Sequence, residues 1–109
     1  HAHMSRSETF TVLSGLVTVF LLDSGGNYLD SIPMGDISTG RSLCVHIPAG
    51  QWHSQAFESD MVIFHEVTSG PFLPQDTKTL WDTNDDKQKT HQKNFLNGLR
   101  HAARQRERL

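Results

Sequence analysis

The feature that most restricts the fold of this chain is a train of short β-prone runs with no helical period between them. Residues 9–13, 16–22, 28–32, 43–47, 51–57 and 61–67 are rich in Val, Ile, Phe, Thr and Leu, and turn signals separate them. Gly15 divides the first two runs. Asp23-Ser24-Gly25-Gly26-Asn27 divides the next pair and has the residues of a hairpin turn. Pro33-Met34-Gly35-Asp36 is read as the break that ends the third run, and Pro48-Ala49-Gly50 and Glu58-Ser59-Asp60 bound the later ones. Strands at this spacing, without crossover helices, predict an all-β antiparallel barrel or sandwich.

After Val67 the pattern changes. Ser69-Gly70-Pro71-Phe72-Leu73-Pro74 cannot continue a ladder, because proline brings no amide donor. Residues 75–86 read as an irregular arm, with Leu80 and Trp81 as anchors onto the β body. A helix is predicted from Asp85 onward, since Phe95, Leu96, Leu99, Ala102 and Ala103 make one apolar stripe. Asp85 and Asp86 suit its positive end, and Arg104, Arg106 and Arg108 its negative end. Gly98 weakens its middle. The chain thus divides into a β core over residues 1–72 and an arm with a basic amphipathic helix over residues 73–109.

Composition removes several classes of function. With 109 residues there is room for one small domain. The longest uncharged apolar stretch, residues 13–22, is interrupted by Ser14, Gly15 and Thr18 and is far short of the roughly 20 residues a membrane helix needs. Residues 1–8 are polar and carry no apolar signal core, so a soluble, cytoplasmic protein is expected. The single cysteine, Cys44, excludes an intrachain disulfide and a multi-cysteine zinc module, and is expected as a small buried thiol. Residues 1–86 hold three basic side chains against eleven acidic ones, whereas residues 87–109 hold seven basic side chains against Glu107 alone. An acidic body argues against nucleic acid as a partner. The basic tail is read as a solvated helix, with an acidic surface, including that of its own body, as the alternative partner.

The chemistry is concentrated in the histidines. His1 and His3 are one residue apart, so on an extended strand both imidazoles face the same side. Glu8 follows, then Gly15, and much later Pro48-Ala49-Gly50-Gln51-Trp52-His53 makes a tight turn feeding a strand that begins with a histidine. Three imidazoles and one carboxylate suit one divalent transition ion such as Zn, Fe, Ni or Mn. On an octahedral ion they would leave two positions for water or substrate.

His-x-His, four residues, Glu, six residues, Gly resembles the first motif of the cupin superfamily, and Pro-x-Gly-x-x-His resembles the core of the second. The runs from Ser7 to Gly15, from Ile47 to His53 and from Glu66 to Phe72, with Trp81, are similar to the WbuC-type cupin-fold metalloproteins. That resemblance implies a jelly-roll barrel with His1, His3, Glu8 and His53 as metal ligands. It also implies a saccharide or nucleotide-sugar intermediate of bacterial surface polysaccharide (O-antigen) synthesis as the small-molecule ligand. A homodimer is expected, because cupin barrels commonly pair through sheet edges. The chain departs from the family where Ser42 replaces the glycine that usually opens the second motif, and where Phe57 replaces its closing asparagine. Family members also carry a segment before the first motif, so this chain is expected to be a piece of a longer protein.

Other residues take secondary roles in this reading. Glu66 and His65 are the candidates for proton transfer, and Arg6, Phe10 and Phe20 the candidates for substrate contact. Glu66 is also read as a contact to the ligands or to substrate, and the others have plainer alternatives: His65 as a packed or edge histidine, Arg6 as a surface cation, and Phe10 and Phe20 as core. His46 shares a strand face with Cys44; His91 and His101 are expected on the helix surface. His1-Ala2-His3-Met4 also fits a purification-tag remnant or an amino-terminal copper chelate, and His53 a core histidine at a turn. Whether the chain is an isomerase- or oxygenase-like metalloenzyme, a non-catalytic sugar-binding or regulatory module, or a barrel merely tightened by its metal is left open by sequence.

Overall fold

A computed structural model describes residues 1–71, 73–80 and 86–107, with the side chains of 86–92 and of 107 outside the description. The expected roles of Trp81, Asp85, Asp86, His91 and Arg108 therefore lie outside the described residues. The elements are β1 (Ala2–His3), β2 (Glu8–Ser14), β3 (Leu16–Leu22), β4 (Tyr28–Gly35), β5 (Cys44–Ile47), β6 (Trp52–Phe57), β7 (Ile63–Thr68), β8 (Thr77–Lys78) and helix α1 (Asp86–Glu107). They form antiparallel sheets ordered β5-β2-β7 and β4-β3-β6, and a two-stranded ribbon β1-β8. The molecule is β-rich with a helix at its C-terminal end, as expected, but the described strands do not close into a barrel.

Side-chain alternation determines the layers. Phe10 and Val12 of β2 meet Val17 and Val19 of β3, Met34 of β4 and Ile47 of β5 in a core between the two sheets. The other face of β3 carries Phe20 and Leu22, which with Ala56 and Leu99 form a second core under α1. β3 is therefore buried on both faces, which is why its sequence, Leu-Val-Thr-Val-Phe-Leu-Leu, does not alternate cleanly. Each of these buried side chains except the Ala56 methyl contributes roughly 1.5–3 kcal/mol relative to exposure.

The passage from β2 to β3 depends on Gly15. Its φ of +97° lies in the left-handed region, and a β-carbon there would stand 2.4 Å from the Met61 carbonyl oxygen. The neighbouring amides are held by side chains: Gly15 N–H donates to Asp36 at 3.3 Å and Leu16 N–H to Ser59 at 2.9 Å. Helix α1 runs through Gly98 without a break and docks by Leu99, with Phe95, Leu96 and Ala103 packed beside it. The basic tail is not merely solvated. Arg100 pairs with Glu58 at 3.0 Å and Arg106 lies 3.5 Å from Asp30, so the helix is held partly by the acidic body. Leu80 reaches Gly26, consistent with its expected role as an anchor.

Three expectations are corrected. Pro33 does not break its strand, because β4 is the edge of its sheet among the described strands and the missing amide faces away from β3, with Thr18 opposite. The arm is not wholly irregular: a 3-10 turn at Pro74–Asp76 leads into β8, which pairs with β1. Cys44 is exposed rather than buried, since β5 is also an edge strand and Cys44 stands on its outer face, where the Thr11 hydroxyl donates to its sulfur at 3.4 Å. No helix among the described residues is long and apolar enough to cross a membrane.

Two glycine substitutions should have opposite signs. Gly98 is helical, with open space where a β-carbon would go, so Gly98→Ala should stabilise by about 0.5–1 kcal/mol. Gly15→Ala should destabilise by about 1–3 kcal/mol or more, through strain and the clash with the Met61 carbonyl. Urea unfolding of the two variants reads both; a destabilised Gly98→Ala would mean that α1 is not docked as described.

Candidate metal centre

Backbone pairing brings the two motifs together. The Gly50 N–H donates to the His3 carbonyl at 2.7 Å, and His53 and His1 exchange N–H···O bonds of 2.9 Å in each direction. On its other side β1 pairs with β8, placing Ala2 opposite Lys78 and His3 opposite Thr77. Ala2 is fully buried between these neighbours, and the rings of His1 and His3 turn to the same side. Glu8 opens β2 on the same inward face as Phe10. His53 is inward on β6, opposite Leu21 of β3.

The result is a cluster of His1, His3, Glu8 and His53 that could hold a metal ion. One ligand atom from each lies within 4.8 Å of all the others. The His3 Nε2 contacts Glu8 Oε1, and His53 Nε2 stands 3.6 Å from Glu8 Oε2. The His1 ring lies 4.3 Å from that of His53 and 5.3 Å from that of His3. Glu8 and His53 are buried, His3 is partly so, and His1 lies at the exposed side.

Hydrogen bonding shows how well these residues suit a cation. The Nδ1 of His53 lies 2.9 Å from the Gln51 carbonyl, which can only accept, so the proton sits on Nδ1. That leaves a lone pair on Nε2, aimed at a carboxylate oxygen. Neither His53 Nε2 nor Glu8 Oε2 has a hydrogen-bond partner, and both are buried. Leaving such a group unsatisfied costs on the order of 1–3 kcal/mol. Two facing acceptors are what a positive ion would satisfy, and a carbonyl on the far ring nitrogen is the usual support of a metal-binding imidazole.

Burial disfavours the charged forms of His53 and His3. Desolvation lowers the pKa of His53 from its ordinary 6.5 to about 4, against the opposing pull of the Gln51 carbonyl. His3 is lowered too, first by burial and then by the Arg6 guanidinium. The Nδ1 of His3 has two neighbours, the Thr77 hydroxyl at 2.9 Å and Arg6 Nη2 at 3.1 Å. Arg6 can only donate, so while it holds Nδ1 the ring proton is on Nε2, facing Glu8. Freeing Nε2 requires that proton to move to Nδ1, where the Thr77 oxygen is in place to accept it. Glu66 is shifted the other way: partial burial, then its contact with the Glu8 carboxylate, holds it above the usual carboxylate range.

The remaining predicted residues divide. Glu66 stands opposite Phe10 in the β2-β7 ladder, on the inward face beside Glu8. His65, its neighbour on the strand, therefore points to the outer face, away from the cluster. Arg6 is buried against His3 rather than displayed at an open mouth. Phe10 is wholly buried in the inter-sheet core, 4.5 Å from the Phe64 ring. Phe20 lies on the opposite face of β3, under α1, and cannot line the metal cluster. His46 and Cys44 do share the outer face, where His46 bonds Thr9 at 3.1 Å, and His101 is exposed as expected. Sequence reasoning missed Thr77 and Asp76, which accepts from Ser5 at 2.6 Å and from the Met4 amide through its carbonyl at 3.0 Å. Neither belongs to a motif, and both lie more than seventy residues from their partners. No protein-family model, curated protein or solved structure matches this chain.

The His53 shift sets a pH dependence for the metal-free protein. Between about 4 and 6.5 the unfolded chain binds a proton that the folded chain refuses. Stability should be full above 6.5 and fall as pH drops toward 4, by on the order of 3 kcal/mol. In His53→Gln this part of the acid loss should be missing. An unchanged profile of urea midpoints would show that His53 is not buried as a neutral base.

Proposed function

We propose that this chain is a cupin-type metalloprotein of the WbuC kind. In this reading it holds one divalent Zn, Fe, Ni or Mn ion through His1, His3, Glu8 and His53. Its ligand is a saccharide or nucleotide-sugar intermediate of bacterial surface polysaccharide synthesis. The single observation that carries the reading is the buried, unsatisfied pair Glu8 Oε2 and His53 Nε2, 3.6 Å apart. The motif spacing and the two sheets packed around one core support a jelly-roll architecture.

A bound ion would supply Lewis acidity to a substrate oxygen. The protein's own groups have distinct tasks. His53 offers a lone pair because the Gln51 carbonyl fixes its proton on the far nitrogen. Glu8 brings the negative charge that offsets part of the ion's. Thr77 and Arg6 orient the His3 ring. Glu66 holds its carboxyl proton to a higher pH than an ordinary glutamate, through partial burial and its contact with Glu8 at the rim of the cluster.

Elemental analysis tests the metal reading first: one equivalent of ion is expected in the wild type and close to none in Glu8→Gln or His53→Ala. Thr77→Val should keep the fold and weaken metal affinity by roughly tenfold, because it removes only the support of His3. Metal-loaded protein is then titrated with nucleotide sugars by calorimetry, and the mixtures analysed by mass spectrometry. Saturable binding with product formation supports an enzyme, and binding without product a sugar-binding module. A protein that retains no ion, or that neither binds nor converts any sugar, overturns the corresponding half of the proposal.

A further inference from the structure

The geometry points to a second binding site on the far side of the molecule: the cleft between α1 and β4-β3-β6 takes a small phosphorylated molecule through Arg41, Arg100 and Arg104. The cleft has a volume of about 280 Å³ and is set against the face of β3 that carries Thr18 and Phe20. The metal cluster lies on the opposite side of that strand, with His53 opposite Leu21. The inference is therefore independent of the metal reading.

The cleft has a local cause. Leu99 fills the space under α1, but one turn later Ala103 presents only a methyl group to Ser31 and Pro33. Three guanidinium groups border the gap that remains, against a single carboxylate, Glu58. Arg100 is committed to Glu58 and to Asn97, at 3.0 Å each. Arg41 and Arg104 pair with no carboxylate among the described residues. Arg100 and Arg104 are also four residues apart on one helix, where like charges disfavour the helix. The helix dipole accounts for arginines near the C-terminus of α1. It does not account for Arg41, which reaches the same cleft from the segment between β4 and β5.

Two guanidiniums that meet no carboxylate among the described residues match a dianion, and their planar forks match phosphoryl oxygens. Ser31 adds a donor: its oxygen already accepts from the Tyr28 hydroxyl at 3.1 Å, so its own hydrogen is left to give. The volume suits a phosphoryl group with a body of about one sugar ring, below the range of drug-sized ligands.

Amide chemical shifts followed during titration with inorganic phosphate, pyrophosphate and a hexose phosphate test this directly. Saturable shifts are expected at Thr18, Ser31, Arg41, Arg100 and Arg104. A hexose phosphate that binds more tightly than inorganic phosphate identifies a sugar-bearing ligand; equal affinity identifies the free anion. Arg41→Gln and Arg104→Gln should each weaken binding by about tenfold or more. Lys78→Gln, the same change of charge on β8, should leave affinity within about twofold. The proposal is overturned by absence of saturation at millimolar ligand or by shifts centred on His3, Glu8 and His53. It is equally overturned by a loss in Lys78→Gln as large as that in Arg104→Gln, or by malonate binding as tightly as the phosphates.

Discussion

The short backbone ladder between His1–His3 and Gly50–His53 is the constraint on which the rest of this structure depends. Three hydrogen bonds join stretches about fifty residues apart, and β8 closes the other side of the same two-residue strand. Without that pairing the imidazoles of His1 and His3 would stand on a segment held on one side only, by β8. With it, they face Glu8 and His53 across a few ångströms. A strand of two residues has little stability of its own. It is ordered because it is flanked on both sides, so the cluster and the local fold are one cooperative feature.

Burial then does the electrostatic work. Removing His53 from water makes its charged form unfavourable, and the Gln51 carbonyl selects which nitrogen keeps the proton. The same desolvation raises Glu66, where the Glu8 carboxylate adds like-charge repulsion. Imidazoles whose charged forms are disfavoured and a carboxyl held above its usual range thus sit side by side at the edge of an apolar core. The face of the β4-β3-β6 sheet under α1 shows the complementary case. There the basic helix meets the acidic body, and the pairs Arg100–Glu58 and Arg106–Asp30 join what the charge distribution of the chain had kept apart.

Much of this was legible in the residues. The six β-prone runs all became strands, and the apolar stripe from Phe95 to Ala103 became the docked face of α1. Both follow from local periodicity, which a linear sequence carries in full. The histidine spacing also survived, because an i, i+2 pair on an extended segment must share a side. Errors came where a neighbour decides. Pro33 was tolerated because its strand lies at an edge, and Cys44 was exposed for the same reason. β8 and the roles of Thr77 and Asp76 have no periodic signature at all.

Residue order alone determined the β-rich character of the chain, its corner at Gly15, its C-terminal amphipathic helix and the types of side chain able to coordinate an ion, because these are properties of near neighbours along the backbone. Only the tertiary structure decided which face of each strand meets which layer, which imidazole nitrogen keeps its proton, and that Arg41 joins Arg100 and Arg104 around one cleft. Those outcomes depend on desolvation and on contacts between distant segments, and neither exists until the chain has closed on itself.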